Sequence, residues 1–408
     1  MPNIAIVGAG ISGLHLALRL QQLGVSTTLY AERSVEELAA GRPSNLVVRF
    51  GRTRERERSL GVAHWEEPGL DTHGVNIAAD IDPAVGFFGR LQQPGQGVDF
   101  RIYLPRLISD YLDRGGSMEL IAPEVSVIDR LARRHDLVVV ATGRRAFGEL
   151  FPRDAARSPY SEPQRLLAAG LFRGIAPSDP PWIHFQLVPE AGEIFSTRLL
   201  SFDGPVHGMV IEAIPGGPLE QMTYLHYNED PAGFERTLLK LLADYAPPLR
   251  ERIDESEFGL TRPLDLLQGG ITPTVRKGWA ELSGGRYALA LGDAWIVNDP
   301  LAGQGANLGS RNAFDMAELI AGGEQFDEAF CRRVESELWK VAGPVVAWSN
   351  MNVGPPQPHL LEVMMAATED NRVGDAFVDN FNDPWAMWEA MRTPENTASW
   401  IKGIKAGS

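Results

Sequence analysis

The chain has 408 residues, 44% of them hydrophobic and 22% charged. Those fractions sit near the globular averages of about 45 to 50% and about 25%, which excludes disorder, collagen and coiled coil and suits two to three packed units. Its 38 Lys plus Arg against 53 Asp plus Glu give a net charge of −15, a field that repels nucleic acid and anionic lipid alike, so neither is expected as a partner.

The first residues have no basic start and no apolar run ending in a cleavage site, so no signal peptide is expected. Residues 4–7 form a short apolar run ending at glycines, the pattern of a strand buried on both faces of a parallel sheet. Residues 12–23 carry Leu14, Leu16, Ala17, Leu18 and Leu20 at helical spacing, with Gly24 as the stop. Residues 25–31 then alternate as a second strand, completing a βαβ unit. The run Arg49, Arg52, Arg54, Glu55, Arg56, Glu57 and Arg58 reads as a solvated helix face with internal ion pairs, an anion or docking site being the alternative. Residues 100–112 are a further helix, and 136–143 a fully apolar strand returning to the first sheet.

Between about 163 and 258 the runs 182–188, 194–202, 208–214 and 222–227 are separated by Gly and Pro, which predicts an antiparallel sheet in a second domain. Residues 288–293 add one apolar strand. A glycine-rich loop at 299–305 precedes a helix expected to end near Ala321, and 326–408 carries helical periodicity with five tryptophans. Cys331 stands alone and the His residues show no metal-ligand spacing, so neither a disulfide nor a metal site is expected and a reducing cytoplasm fits. The absence of any 18-residue apolar stretch predicts no membrane span.

Gly8, Gly10 and Gly13 form Gly-x-Gly-x-x-Gly between strand and helix, so Ile11 and Ser12 open a helix whose N–H groups can face a pyrophosphate. Glu32, followed by Arg33, ends the second strand, where a carboxylate can accept ribose hydroxyls. This much serves NAD or FAD. A second anchor decides between them: Asp293 after a strand can take a ribityl hydroxyl. Pro300, Gly303, Gly305, Ala306 and Asn307 lie at a helix start whose N–H groups can face a flavin's pyrimidine edge. Two separated anchors imply a long, extended cofactor, and FAD fits. The expected fold is α/β, with a Rossmann-type FAD-binding domain over 1–50, 95–165 and 265–325. An antiparallel-sheet substrate domain is expected over 51–94 and 166–264, and a helical C-terminal region over 326–408.

The chain resembles the flavin-dependent styrene and indole monooxygenases, the oxygenase halves of two-component systems within the p-hydroxybenzoate-hydroxylase-like flavoproteins. The likeness runs through nearly the whole length. It rests on Val-Gly-Ala-Gly-Ile-Ser-Gly-Leu-His at 7–15, Val-Asp-Phe-Arg-Ile-Tyr at 98–103, Leu-Asp-Leu-Leu-Gln-Gly-Gly at 264–270, the 299–307 loop and Asp-Asn-Phe-Asn at 379–382. It implies that Arg42 and Asn45 lie beside the flavin as the catalytic pair. Arg101, Val125, Thr142 and Gly143 are expected as further cofactor contacts, and Val47, Met209, Leu301 and Ala302 as substrate contacts.

The chemistry it implies is epoxidation of an aromatic alkene or indole by a flavin C4a-(hydro)peroxide formed from reduced FAD and O₂, the cofactor carrying the hard step. Single-component relatives have Asp-Gly where this chain has Ala141-Thr142-Gly143, and no second Gly-x-Gly-x-x-Gly occurs. Reduced FAD is therefore expected from a separate NAD(P)H:flavin reductase. A hydroxylase or sulfoxidase of another aromatic, and a non-catalytic flavin-binding protein, are the alternatives. No triad or carboxylate pair is evident in the sequence, and Asn45 is expected near the transferred oxygen unless it only braces its loop. Styrene epoxidases have a histidine where this chain has Arg49 and a Tyr- and His-rich segment where it has 72–79, with His73 expected at the surface. Those departures predict a pocket suited to indole or another aromatic alkene more than to styrene. A homodimer is left open.

Overall fold

Strands buried on both faces and strands buried on one separate into two sheets. The computed structural model describes residues 2–67, 69–81, 84–122, 124–143, 149–323, 325–355 and 357–407. The first sheet contains β1 (Asn3–Val7), β2 (Ser26–Ala31), β6 (Ser117–Leu120), β7 (Leu137–Val140), β15 (Trp279–Leu282) and β16 (Arg286–Ala290). Its order is β15-β16-β7-β1-β2-β6, parallel except for the edge strand β15. Ile4, Ala5, Ile6, Val138, Val139 and Val140 have no exposure at all, as expected where helices cover both faces of a parallel sheet. Around it pack α1 (Ile11–Gln22), α2 (Val35–Ala40), α4 (Phe100–Asp113), α5 (Val125–Ala132), α8 (Gly305–Ala321) and the long α9 (Glu328–Asn352).

The second sheet contains β3 (Val48–Arg49), β4 (Asp71–Ala79), β5 (Val85–Val98), β8 (Leu166–Arg173), β9 (Ile183–Val188), β10 (Gly192–Ser201), β11 (Gly204–Ala213), β12 (Gly259–Leu260) and β13 (Leu266–Gly270). It runs β12-β8-β11-β10-β9-β4-β5-β3, with β13 also paired to β8. One face of β8 and β11 packs on α6 (Pro231–Tyr245) and α7 (Pro247–Arg250). The β4–β5 hairpin packs on α10 (Pro358–Glu369), α11 (Asn371–Asp379), α12 (Pro384–Met391) and α13 (Pro394–Ala406). The remaining strands, β14 (Thr274–Val275) and β17 (Ile296–Val297), pair with each other beside the first sheet.

Two expectations are corrected. Residues 222–227 are not a strand: a 3-10 turn at Pro218–Thr223 buries Leu219 and Met222, three residues apart on one side, so the apolar spacing there has a period of three. The charge run is a solvated face only in part, and its internal ion pair, Arg49 with Glu57, is buried. In α3 (Gly51–Leu60), Arg52, Glu55 and Arg58 are exposed, but Arg54 and Glu57 are buried, as is Arg49 just before it. His73 lies at the surface, as expected.

Candidate functional site

The parallel strands β1, β7 and β16 are neighbours and end together, bringing Gly8, Thr142 with Gly143, and Asp293 to one carboxyl edge. Such an edge is where open α/β sheets bind ligands. Gly8 has φ of 125°, a conformation L side chains rarely adopt, and a Cβ there would come within 2.8 Å of the Ala141 carbonyl. A Cβ on Gly13 would run into the Gly8 carbonyl oxygen, so that glycine is what lets α1 lie against β1. Gly10 differs: nothing lies within 4 Å of a Cβ built on it, and as N-cap of α1 it supplies no side chain to the free N–H groups of Ile11 and Ser12. The first turn of α8 repeats this arrangement. Its N-cap Gln304 makes no capping bond, and Gly305, with Ala306 behind it, faces space equally open. Two uncapped helix starts, each with positive potential directed at open space, match a ligand with negative charge at two points.

Asp293 is open to water, yet protein walls it on most sides. That burial raises its carboxyl above the ordinary value against the pull of Arg276. It accepts no side-chain hydrogen bond among the described residues, and Gly143 lies directly against it. Glu32 is exposed at the end of β2, with Arg33 half-buried beside it, and Val125 is half-buried at the start of α5.

Two expected cofactor contacts are already committed elsewhere. Arg101 binds Asp99 through Nε and Nη2 and Asp265 through Nη1 at 2.6 Å, with a further bond to the Gly41 carbonyl. It therefore anchors the root of the 41–48 loop. Asn307 accepts from Phe50 N and Thr53 Oγ1 and donates to the Val48 and Gly303 carbonyls, so its amide ties that loop to the 299–303 loop with no capacity left for a cofactor. Arg42 is exposed on the loop so anchored. Asn45 is half-buried, and its Oδ1 has no hydrogen-bond partner.

A cavity of about 970 Å³ lies between the second sheet and the C-terminal helices. Val75, Ile77, Phe185, Phe195 and Val210 form its floor, Trp348, Met364 and Phe377 its roof, and Val47, Val48 and Phe50 with Pro300 to Gly303 one end. Val47, Leu301 and Ala302 are thus on its wall. Met209 is not: side chains alternate along a strand, so while Gly208, Val210 and Glu212 face the cavity, Met209 points to the α6 core. Arg49 also faces away, between Val48 and Phe50.

Sequence reasoning missed the cavity's charged wall. Glu193 on β10 and Glu212 on β11 stand directly opposite each other, both about 1% exposed. Arg165 grips Glu193 through Nε and Nη2 at 2.7 and 2.9 Å. Among the described residues, Glu212 has no cation of its own. Burial first, then Asp299 and Glu193, push its carboxyl well up, and its Oε2 is buried without a hydrogen-bond partner among the described residues. Asp299, itself raised to about 6 by burial, caps the 3-10 turn Pro300–Ala302 by accepting from Leu301 N at 3.1 Å. The signal was visible as glutamates adjoining the apolar runs Ile194-Phe195 and Met209-Val210-Ile211.

A family model described as the styrene monooxygenase A putative substrate binding domain matches residues 143–252, the stretch that carries Arg165, Glu193 and Glu212. Over 402 residues the chain is 34% identical to styrene monooxygenase StyA of Pseudomonas fluorescens, spanning 98% of this chain and 97% of that protein. The chain belongs to the styrene monooxygenase family. It is accordingly an FAD-dependent monooxygenase. In fold, this styrene monooxygenase relative resembles the flavin-dependent brominase Bmp2, at TM-score 0.62, 12% identity and coverage of 99% of this chain and 93% of that one. It also resembles Pseudomonas aeruginosa PqsL solved with 2-aminobenzoylacetate, at TM-score 0.61, 15% identity and coverage of 92% and 98%. These likenesses establish the p-hydroxybenzoate-hydroxylase-like fold. Among the described residues of this family member, no helix is long and apolar enough to cross a membrane.

Proposed function

We propose that the chain is the oxygenase half of a two-component system and epoxidises an aromatic alkene or indole, taking FAD already reduced by a separate NAD(P)H:flavin reductase and O₂ as co-substrate. One observation carries this reading: the apolar cavity ends at Pro300 to Gly303, immediately before the uncapped start of α8. A flavin ring seated at that helix start would close the end of a pocket sized for a flat hydrocarbon.

The residues present fit FAD. The N–H groups of Ile11 and Ser12 behind Gly10 would take the pyrophosphate and Glu32 the adenosine ribose. Asp293 would take a ribityl hydroxyl, and the first turn of α8 the negative edge of the reduced ring. FAD supplies oxygen activation when bound in reduced form. The protein's part is to bind, orient and exclude water. Phe185, Phe195, Trp348 and Phe377 hold a flat substrate and keep the cavity dry, while the loops bearing Asn45 and Leu301 set its distance from the ring. Cys331 is free and buried, in keeping with a cytoplasmic setting.

The test supplies chemically reduced FAD, air and indole to the isolated chain. Indigo is expected without reductase, and NADH or NADPH alone should not bleach bound FAD. Hydrogen peroxide alone from every aromatic offered would leave a flavin-binding protein, and rapid bleaching by NADH would defeat the two-component reading.

A further inference from the structure

Asp299 begins the turn that closes one end of the cavity, and Glu212 projects from the cavity floor near enough for the two carboxyls to act on each other. Both side chains are about 1% exposed. Asp299 Oδ1 is taken by Leu301 N, but Oδ2 has no donor, and neither has Glu212 Oε2. Every charged or titratable group acting on the pair can be named. Arg165 directs Nε and Nη2 to Glu193 and Nη1 to the Gln164 and Val353 carbonyls. Glu193 is thereby neutralised, and Tyr160 approaches Asp299 from another segment while its hydroxyl donates to the Asn350 carbonyl. Among the described residues, no cation is left to hydrogen-bond Glu212 or Asp299, and Arg165 acts on them only at a distance. Two adjacent carboxylates in a dry wall cannot both ionise, and one proton shared between them satisfies both orphan oxygens at once.

We propose that Glu212 is a positioning residue for oxygen transfer: the hydrogen bond from its carboxyl to Asp299 fixes the Pro300–Ala302 turn at the end of the cavity. Asp299 already accepts from Leu301 N, a bond that favours its ionised form, so the proton sits on Glu212 and Asp299 is the acceptor. Losing that proton places two anions side by side, and the turn moves away from the cavity floor. Because the folded-state value of Glu212 lies above its unfolded value, the stabilisation is complete at low pH and is lost as pH rises through the folded value. The proposal rests on the oxygenase reading for its consequence, but the shared proton does not.

Two measurements on the chain as it stands test this. Infrared difference spectra without FAD should show a protonated-carboxyl C=O band at neutral pH that disappears in Glu212→Gln and in wild type titrates away as pH rises. With reduced FAD, product per flavin consumed should fall in wild type as pH rises, and Glu212→Gln, which keeps a donor and cannot ionise, should flatten that fall. Glu212→Met, with no donor and no ionisable group, should lower coupling roughly tenfold at neutral pH, the loss of one hydrogen bond, and show no further fall as pH rises, and Glu212→Gln should recover most of the loss. If Glu212→Gln fails to fold, Asp299→Asn serves: it replaces the carboxylate acceptor with an amide, so the band should move to the frequency of a more weakly bonded carboxyl, and an unmoved band overturns the proposal. A band missing from wild type, an unchanged fall with rising pH in Glu212→Gln, or full coupling in Glu212→Met at neutral pH overturns the proposal. A normal band in a chain that oxygenates nothing at any pH would instead remove the oxygenase reading and leave the pair in place.

Discussion

Arg49 donates a hydrogen bond to Glu57 with the two side chains 1% and 2% exposed, so the charge pair is entirely internal. The pair continues into a directed chain. Tyr103 donates to the other oxygen of Glu57 at 2.7 Å and accepts from His15 Nε2 at 2.8 Å. His15 Nδ1 in turn accepts from Ser310, which takes Arg56 Nε at 2.9 Å. The fingerprint helix α1, the basic helix α3, α4 and α8 are thus locked to one another beneath the proposed flavin site. Burial works to raise the Glu57 carboxyl, but Arg49, His15 and the bonds from Arg49 and Tyr103 outweigh it and hold the carboxyl below its ordinary value.

Arg49→Met should therefore destabilise the chain by about 3 to 5 kcal/mol, because it leaves a buried carboxylate without its cation. Denaturant unfolding measures this, and Arg49→Met combined with Glu57→Leu should recover a good part. A single variant within about 1 kcal/mol of wild type would show the pair to be no more than a surface bridge in its energetics.

Acid should unfold the protein early. Burial, aided by nearby arginines, pushes His15, His184 and His207 down to about 4, although Glu57 resists this at His15. The unfolded chain then binds more protons than the folded one between about 6.5 and 4, so stability is complete above that window and declines as pH falls through it. Each histidine contributes roughly 3 kcal/mol when fully titrated. Melting temperatures from pH 7.5 to 5 should fall steeply, and His184→Gln, which removes a ring whose Nε2 has no partner, should make the fall shallower.

Gly10→Ala and Gly13→Ala should separate binding from folding. A methyl at position 13 meets the Gly8 carbonyl and should lower the melting temperature, whereas one at position 10 enters open space. Gly10→Ala should melt like wild type yet bind FAD more weakly, as expected if the pyrophosphate approaches there. Unchanged affinity would move the pyrophosphate elsewhere.

The βαβ unit, the parallel strands and the 299–305 loop were legible because apolar period and glycine position encode them locally. The arrangement of side chains around the site was less so. Met209 was assigned to the pocket although strand parity turns it to the opposite core, and only the register of β10 with β11 shows that Glu212 takes the wall position. Asn307 and Arg101 carry family motifs, but their partners, Val48, Phe50, Thr53 and Asp265, lie far away in sequence. Glu212 and Asp299 meet only through the tertiary fold, so no spacing rule reveals them.

Asp293→Ala should weaken FAD binding without destabilising the fold. The carboxyl accepts no hydrogen bond from the described residues, and its raised value marks a site that disfavours its charge. Removing a charge-assisted bond to a ribityl hydroxyl would cost about 1.5 to 3 kcal/mol of affinity for both redox states. Reduced FAD should bind more tightly than oxidised FAD in wild type, because the start of α8 favours the anionic ring, and paired anaerobic and aerobic titrations read both effects.

Asn45 should control oxygen transfer more than cofactor affinity. Its Oδ1 is buried without a partner among the described residues, which an amide that merely braced its loop would avoid. The loop is held instead by Arg101 at Gly41 and by Asn307 at Val48, leaving the Asn45 side chain free to meet a ligand. If it supplies one positioned hydrogen bond to the reacting groups, Asn45→Ala should lose roughly 2.7 to 4 kcal/mol of transition-state stabilisation, about 100-fold or more in transfer rate. Hydrogen peroxide should then rise at the expense of product, since slow transfer leaves activated oxygen to decay. Product and hydrogen peroxide are measured per reduced FAD consumed, beside the Kd for FAD. Unchanged coupling with unchanged affinity would show that the orphan oxygen has no role in transfer, and that Asn45 does no more than shape the loop between its two anchors.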